Sequence, residues 1–245
     1  MHLFFAEHHN ISEDEIILEG TDYNHIKNVL RLKPGDVIQV KSGDSRVFEC
    51  SVRTFEDDRV ICDVKNEYQQ NTELPVKVFI YQGLPKADKM ETVIQKAVEL
   101  GAAGIVPVAM ERSVTRLDAK KAESRRKRWR LISEAAAKQS KRSMIPEISP
   151  VCNFKEAIDK AKDADVFLMP FECAEDFSYT KKILSGIKPG DTVAVLIGPE
   201  GGISHEEANM ATEAGAVSIT LGKRILRTET AALMLMSVMN YLFEE

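Results

Sequence analysis

The sequence is poor in the residues that build metal sites and disulfide frameworks, with four cysteines and five histidines among 245 residues. Cys50, Cys62, Cys152 and Cys173 form no Cys-x-x-Cys pair, and the histidines do not follow the spacing of a zinc site. We therefore expect no metal and no disulfides, and we predict that the cysteines are buried free thiols.

Long apolar runs are absent as well. The first residues, Met1 to Glu7, form too short and too acidic a segment for a secretory signal. The densest apolar stretch, Ala231 to Met239, falls far short of the roughly 20 residues that a membrane span needs. These features predict a cytoplasmic protein without membrane contact, and the overall composition is that of a globular chain.

Charge is unevenly distributed along the chain. The formal net charge is -5, yet residues 112–142 hold twelve Lys or Arg against three acidic residues. This local excess of nine positive charges, with Trp129 among the arginines, is typical of a helix that contacts nucleic-acid phosphates. A solvated helix face without a partner is the alternative for such a charge run.

The pattern of the chain predicts two domains. Residues 36–64 alternate apolar and polar positions in short runs separated by Gly-Asp turns, which indicates a small β domain. A short helix capped by Thr21 or Asp22 precedes it, with Ile26, Val29 and Leu30 on one face. The polar stretch 66–73 resembles a linker, so we place the domains at residues 1–72 and 73–245.

Strands alternate with helices in the second domain, which predicts an α/β fold with a largely parallel sheet. Asp88 and Glu91 have capping-box spacing at the start of its first helix. The predicted strands cover residues 76–81, 104–109, 165–169, 192–197 and 217–220.

Two loops carry the strongest chemical signals. A buried strand runs into the glycine loop 198–202, which is followed by Ser204 and Glu207 at capping-box spacing. Ligands of α/β sheets collect at the carboxyl ends of strands, and glycines allow main-chain amides to approach them. The loop does not match a dinucleotide or P-loop motif, and by itself it could equally be a tight turn. Segment 221–231 follows another strand and opens an apolar helix, which could be buried in the core or against another subunit.

Five motifs taken together are similar to those of a known family. They are DYNHIKNVLR (22–31), KAVELG (96–101), EAAAKQS (134–140), IGPEGG (197–202) and LGKRILRTETA (221–231). In this order they resemble the ribosomal RNA small subunit methyltransferase E family, whose members are SPOUT methyltransferases. The resemblance covers almost the full length of the chain.

The resemblance implies an α/β fold in which a small PUA-like β-barrel domain precedes a SPOUT-type domain with a C-terminal trefoil knot. It further implies a homodimer that takes a methyl group from S-adenosylmethionine and transfers it to N3 of one uridine in 16S rRNA of the small ribosomal subunit. By resemblance, the cofactor-binding residues are Met169, Pro170, Leu196, Ile197, Gly198, Pro199, Glu200, Gly201, Gly202, Leu221, Gly222, Ile225, Leu226 and Thr228.

Methylation at N3 requires that the uridine lose a proton and that negative charge on its carbonyls be stabilised. Arg227 is the candidate for that stabilisation, and Glu229 is the candidate base; Glu200 is the other carboxylate beside the expected site. Structural roles are the alternatives: Glu229 could cap the last helix, Glu200 could hold its loop, and Arg227 could bind phosphate only. The candidate RNA contacts are His25, Arg31, Lys86, Arg112, Arg125, Arg126 and Arg142.

Two other functions stay open. A SPOUT enzyme could modify another RNA position, and a non-catalytic RNA-binding or ribosome assembly factor could retain the same fold.

Overall fold

The computed structural model describes residues 1–171 and 176–244, so Cys173 lies outside the described residues. The chain divides into two compact units. The first comprises Met1–Glu73 and Ala137–Ile145, and the second comprises Leu74–Ala136 and Pro146–Glu245. The pattern of the sequence did not indicate that a later segment returns to the first unit.

A five-stranded sheet forms the first unit. Its strands are β1 (Leu3–Phe5), β2 (Glu15–Glu19), β3 (Val37–Lys41), β4 (Arg46–Glu56) and β5 (Arg59–Gln69), in the order β1-β3-β4-β5-β2. β1 runs parallel to β3 and the other pairs are antiparallel. Asp57 and Asp58 both have positive φ between β4 and β5, as a tight hairpin turn requires. The alternation seen in the sequence places one side chain in two in the core of this sheet.

The short helix of the first unit differs from the prediction. Helix α1 (Thr21–Asn24) continues as a π-helical turn, His25–Val29. The residue that precedes the helix is Gly20, and no side chain caps it, so the predicted cap at Thr21 or Asp22 is wrong. Ile26 is buried, but Val29 is 62% exposed. The wider π turn rotates Val29 away from the face that an α-helical spacing would have given it.

The returning segment 137–145 is held to the first unit by charged groups. Arg142 forms an ion pair with Glu73, and Lys138 Nζ lies 2.7 Å from Asp22 Oδ1. Lys41 Nζ donates a 2.7 Å hydrogen bond to the carbonyl oxygen of Lys141. Burial lowers the pKa of Lys41, although the nearby Glu73 carboxylate opposes this shift. These bonds join residues far apart in the chain and order the segment against the sheet.

A parallel sheet forms the second unit. Its strands are β6 (Lys77–Gly83), β7 (Gly104–Ala109), β8 (Glu147–Ile148), β9 (Cys152–Asn153), β10 (Val166–Pro170), β11 (Thr192–Ile197) and β12 (Val217–Ile219). The order is β12-β10-β11-β6-β7-β8, with β9 also paired to β7. The pairings of these strands are parallel, which confirms the predicted sheet type and brings the ends of β6, β10, β11 and β12 to one edge.

Besides the short α1, residues 1–171 and 176–244 contain six α-helices. They are α2 (Lys89–Glu99), α3 (Ala119–Gln139), α4 (Phe154–Ala161), α5 (Phe177–Leu184), α6 (His205–Glu213) and α7 (Thr228–Phe243). Ser204 and Glu207 form the predicted capping box at α6. The predicted box at α2 is wrong: the Asp88 side chain makes no capping bond, and the Glu91 carboxylate pairs with Arg128 on α3. Within the described ranges, no helix is both long and apolar enough to cross a bilayer.

Candidate active site

The carboxyl ends of the parallel strands open into a cavity of about 630 Å³. The end of β10 with Phe171, the loops after β11 and β12 and the start of α7 contribute to its wall. Small-molecule sites have volumes of roughly 300–1,000 Å³ and lie at this edge of α/β sheets. The cavity is lined by Lys89, Arg112, Pro170, Phe171, Ile197–Ile203, Thr220–Thr228 and Ala231.

The glycine loop after β11 is packed too tightly for side chains at two positions. A Cβ on Gly198 would lie 2.9 Å from the main-chain carbon of Gly202 and 2.9 Å from Ile203 Cγ1. A Cβ on Gly201 would lie 2.9 Å from Arg112 Cβ. Arg112 also donates hydrogen bonds from Nη1 to the carbonyl oxygens of Gly201 and Ile203, at 3.2 and 3.4 Å. The loop is therefore fixed by close contacts and by an arginine at its rim.

The loop after β12, residues 220–227, has main-chain polar groups beside the cavity. In the described part of the chain, the main-chain N–H and carbonyl groups of Leu221, Ile225 and Leu226 form no hydrogen bond with another protein group. Gly222 has a φ of +109°, and nothing lies within 4 Å of where its Cβ would stand. Unpaired amides and carbonyls around an open space are the groups that bind the edge of a base or a ribose hydroxyl.

One lysine lies between two carboxylates at the cavity wall. Lys89 Nζ lies 3.1 Å from Glu200 Oε1 and 3.3 Å from Glu229 Oε2. Glu200 also accepts hydrogen bonds of 3.1 and 3.3 Å from the main-chain N–H of Lys86. Burial acts to raise the pKa of the Glu200 carboxyl, but these hydrogen bonds and Lys89 outweigh it and hold the pKa below its ordinary value. Glu200 thus ties its loop to the start of α2, which is the structural alternative for this residue.

Most residues expected to bind the cofactor line this cavity, and two do not. Met169 and Leu196 are 0% and 1% exposed, and their side chains belong to the hydrophobic core of the second unit. Alternate residues of a strand point to opposite faces, so residues next to a cavity-lining position face the core. Met169 and Leu196 therefore do not line the cavity, and their expected cofactor contacts stay a prediction.

The three candidate catalytic residues lie close to this wall. Arg227 and Glu200 line the cavity, whereas Glu229, in the first turn of α7, does not line it and forms an ion pair with Lys89. The N-cap position of α7 is Arg227, whose side chain makes no capping bond.

The candidate RNA contacts divide into two groups. Arg142 is 3% exposed and paired with Glu73, so its guanidinium is not on the surface, and the prediction for this residue is wrong. Arg126 donates from Nε to the carbonyl oxygen of Ile148 at 2.9 Å and is mostly enclosed. The others retain accessible side chains; they are His25, Arg31, Lys86, Arg112 and Arg125.

Sequence reasoning missed two side chains of the cavity region, Lys89 and Gln82. Lys89 lies in the first turn of α2, where a surface lysine is the ordinary interpretation. Gln82 is a polar residue that follows the apolar run 78–81 of β6 and is 0% exposed. That break in an apolar run was the available signal.

Known proteins are similar to this chain in sequence and in domain order. Residues 72–240 match the RNA methyltransferase domain family, and residues 18–65 match the RNA methyltransferase PUA domain family. The chain is 38% identical over 227 residues to ribosomal RNA small subunit methyltransferase E of Bacillus subtilis, covering 91% of this chain and 89% of the relative. It is 34% identical over 237 residues to the protein of the same name from Mesomycoplasma hyopneumoniae, covering 97% and 98%.

Solved structures agree. A ribosomal RNA small subunit methyltransferase E from Neisseria gonorrhoeae bound to S-adenosyl methionine is similar, with a TM-score of 0.85, 32% identity and coverage of 99% of this chain and 98% of that one. A methyltransferase from Legionella pneumophila in complex with the same cofactor has a TM-score of 0.85 at 28% identity, covering 98% and 97%. The expected class, a PUA-like domain followed by a SPOUT methyltransferase domain, is confirmed.

Proposed function

The chain belongs to the ribosomal RNA small subunit methyltransferase E family, and from this membership we propose that it methylates N3 of one uridine in 16S rRNA with S-adenosylmethionine as the methyl donor. The observation that carries this proposal is the cavity at the strand ends, formed by the two loops whose motifs carry the resemblance. Its volume of about 630 Å³, its unpaired main-chain groups and the open space at Gly222 fit a nucleoside-bearing cofactor.

When bound, S-adenosylmethionine supplies an electrophilic methyl carbon. The chain has to hold the uridine in line with that carbon, a contribution that geometry alone can make large. We propose that Arg227 donates hydrogen bonds to a uridine carbonyl oxygen as negative charge develops on the ring. The N3 proton would pass to a Glu229 carboxylate oxygen; Lys89 Nζ lies 3.3 Å from Glu229 Oε2.

We assign RNA contact to the domain at residues 1–72, and methyl transfer to the domain at residues 73–245. The match to a PUA domain and the exposed side chains of His25 and Arg31 support the first assignment. Lys86, Arg112 and Arg125 are the proposed contacts on the second domain, where phosphate neutralisation would supply affinity. The target uridine must turn out of its stack before it can enter the cavity. Because its proposed substrate is a ribosomal subunit, we place the protein in the cytoplasm.

We further propose a homodimer and the C-terminal trefoil knot of the family. One face of α7 packs on the sheet, while Tyr241 and Leu242 on the other face are 85% and 44% exposed. An apolar helix face of this kind is typical of an interface between identical subunits.

A pair of glycine substitutions separates an enzyme from a pure RNA-binding factor. Gly222 and Gly215 both have positive φ and open surroundings, but only Gly222 lines the cavity. Gly222→Trp should abolish S-adenosylmethionine binding and methyl transfer while RNA affinity is retained, because the indole fills the cavity. Gly215→Trp carries similar backbone strain and should keep both activities. Equal loss of cofactor and RNA binding in Gly222→Trp, with Gly215→Trp intact, would contradict the assignment of this cavity to the cofactor.

A further inference from the structure

We propose that Gln82 is a positioning residue for the cofactor cavity, acting through Thr228 on the glycine loop. This inference rests on the proposed function, since it assumes that the cavity binds S-adenosylmethionine. Gln82 is 0% exposed and lies one residue before the end of β6. It does not line the cavity itself, so any influence on the cofactor must pass through its hydrogen bonds.

Hydrogen bonds join Gln82, Thr228 and Gly198 into a network in which each donor and acceptor can be assigned. Gln82 Nε2 donates to the carbonyl oxygen of Gly83 at 2.9 Å and to Thr228 Oγ1 at 2.8 Å. Thr228 Oγ1 donates in turn to the carbonyl oxygen of Gly198 at 2.6 Å. A carbonyl oxygen can only accept and a hydroxyl has one hydrogen, so the Thr228 hydroxyl must receive from Gln82 in order to donate to Gly198.

The reverse orientation of the amide would break the chain. It would set Gln82 Oε1 against the Gly83 carbonyl oxygen, and it would compete for the single Thr228 hydrogen. In the present orientation Oε1 is buried without a hydrogen-bond partner within the described ranges. An unpaired buried acceptor is unfavourable. The two hydrogen bonds that Gln82 Nε2 donates offset this cost and hold the side chain in its present orientation.

The network joins three elements that form the cavity. Gly83 ends β6, Gly198 starts the loop after β11, and Thr228 starts α7. A Cβ on Gly83 would lie 2.6 Å from Pro199 Cδ, so β6 also packs directly under that loop. Thr228 lines the cavity, and its hydroxyl is occupied by Gln82 and Gly198. The network therefore fixes the loop after β11 relative to the start of α7, and with them the shape of the cofactor site.

Substitutions at both ends of the Gln82–Thr228 bond test this role by calorimetric titration of S-adenosylmethionine. Gln82→Met keeps the length of the side chain and removes both donors, and it should raise Kd roughly tenfold. Thr228→Val removes the hydroxyl at similar volume and should raise Kd similarly, whereas Thr228→Ser keeps the hydroxyl and should restore Kd to within about twofold. The double variant should bind no more weakly than Thr228→Val alone, since both changes break one chain.

Ser133→Ala is the matched control. Ser133 is 0% exposed in the same unit, and its hydroxyl donates a 2.7 Å hydrogen bond to the carbonyl oxygen of Pro146. Its loss should lower Tm without changing Kd, which separates a general loss of stability from an effect on the site.

The outcomes are distinct. If the wild-type protein binds S-adenosylmethionine and Gln82→Met binds with the same Kd, the positioning role is wrong while the proposed function stands. If the wild-type protein does not bind it, the proposed function itself fails. Should Gln82→Met not fold, the difference between Thr228→Val and Thr228→Ser decides: equal Kd values for the two would overturn the inference.

Discussion

Replacing Gly198 with alanine is expected to damage the cofactor site through a single added methyl group. That methyl would lie 2.9 Å from the main-chain carbon of Gly202 and 3.0 Å from the main-chain nitrogen of Ile203. Main chain cannot swing aside as a flexible side chain can, so the loop must shift. Forcing extra atoms into a packed region costs typically 1–3 kcal/mol. If the methyl group destabilises the loop conformation that binds the cofactor by this amount, the Kd for S-adenosylmethionine rises roughly 5- to 140-fold.

Gly190→Ala is the control for this prediction. Gly190 precedes β11 at the opposite end of the strand from the cavity, has a φ of +97°, and has nothing within 4 Å of its Cβ position. Alanine there carries left-handed backbone strain of roughly 1–2 kcal/mol without a steric clash. Thermal denaturation should show lower Tm for both variants, and calorimetry should show weaker cofactor binding for Gly198→Ala alone. Wild-type Kd in Gly198→Ala, or equal weakening in Gly190→Ala, would refute the reasoning.

Further predictions concern catalysis, stability and pH. Arg227→Ala should lower kcat about 100-fold with the cofactor Kd unchanged, as removal of one transition-state donor does; an unchanged kcat in single-turnover assays would remove this residue from the mechanism. Arg142→Ala removes a buried guanidinium and leaves the partly buried Glu73 carboxylate with the hydrogen bonds from Ser143 N–H and Thr72 Oγ1, which should lower the free energy of unfolding by about 1–3 kcal/mol in denaturant titrations, whereas exposed Arg31→Ala should change it by less than about 0.5 kcal/mol; similar losses in both would contradict the assigned burial. Desolvation raises the pKa of Cys50 and Cys62 to about 12. In the folded protein these thiols therefore keep protons that the unfolded chain loses. The free energy of unfolding should fall as pH rises from the ordinary thiol pKa toward 12. Replacing both cysteines with alanine should weaken that alkaline loss in denaturant titrations at fixed pH, and an identical pH profile would contradict this cause.

The sequence predicted the α/β unit well because its signals are local. Apolar runs between turn residues predicted strands at 104–109 and 192–197, and the structure has β7 and β11 with the same ends. Ser204 and Glu207 were placed as a capping box because that motif depends on residues three apart in the chain. The two loops at the cavity were recognisable as loops that follow buried strands and open helices.

The features that escaped prediction depend on residues distant in the chain. Arg142 looked like part of a solvent-facing basic segment, since nothing near it in sequence reveals that Glu73 pairs with it. Asp88 and Glu91 have capping-box spacing, but Arg128 on another helix takes the carboxylate. Gln82 reaches Thr228 across 146 positions of sequence. Tertiary contacts override local propensity in each case, and only coordinates reveal them.

The most direct test of the central claim is the transfer of labelled methyl from S-adenosylmethionine to small ribosomal subunits that lack endogenous modification, followed by nucleoside analysis of the 16S rRNA. The account predicts that the label is recovered in 3-methyluridine. Label in another nucleoside would contradict the assigned position, and no transfer to subunits or naked RNA, despite measured cofactor binding, would contradict the proposed substrate.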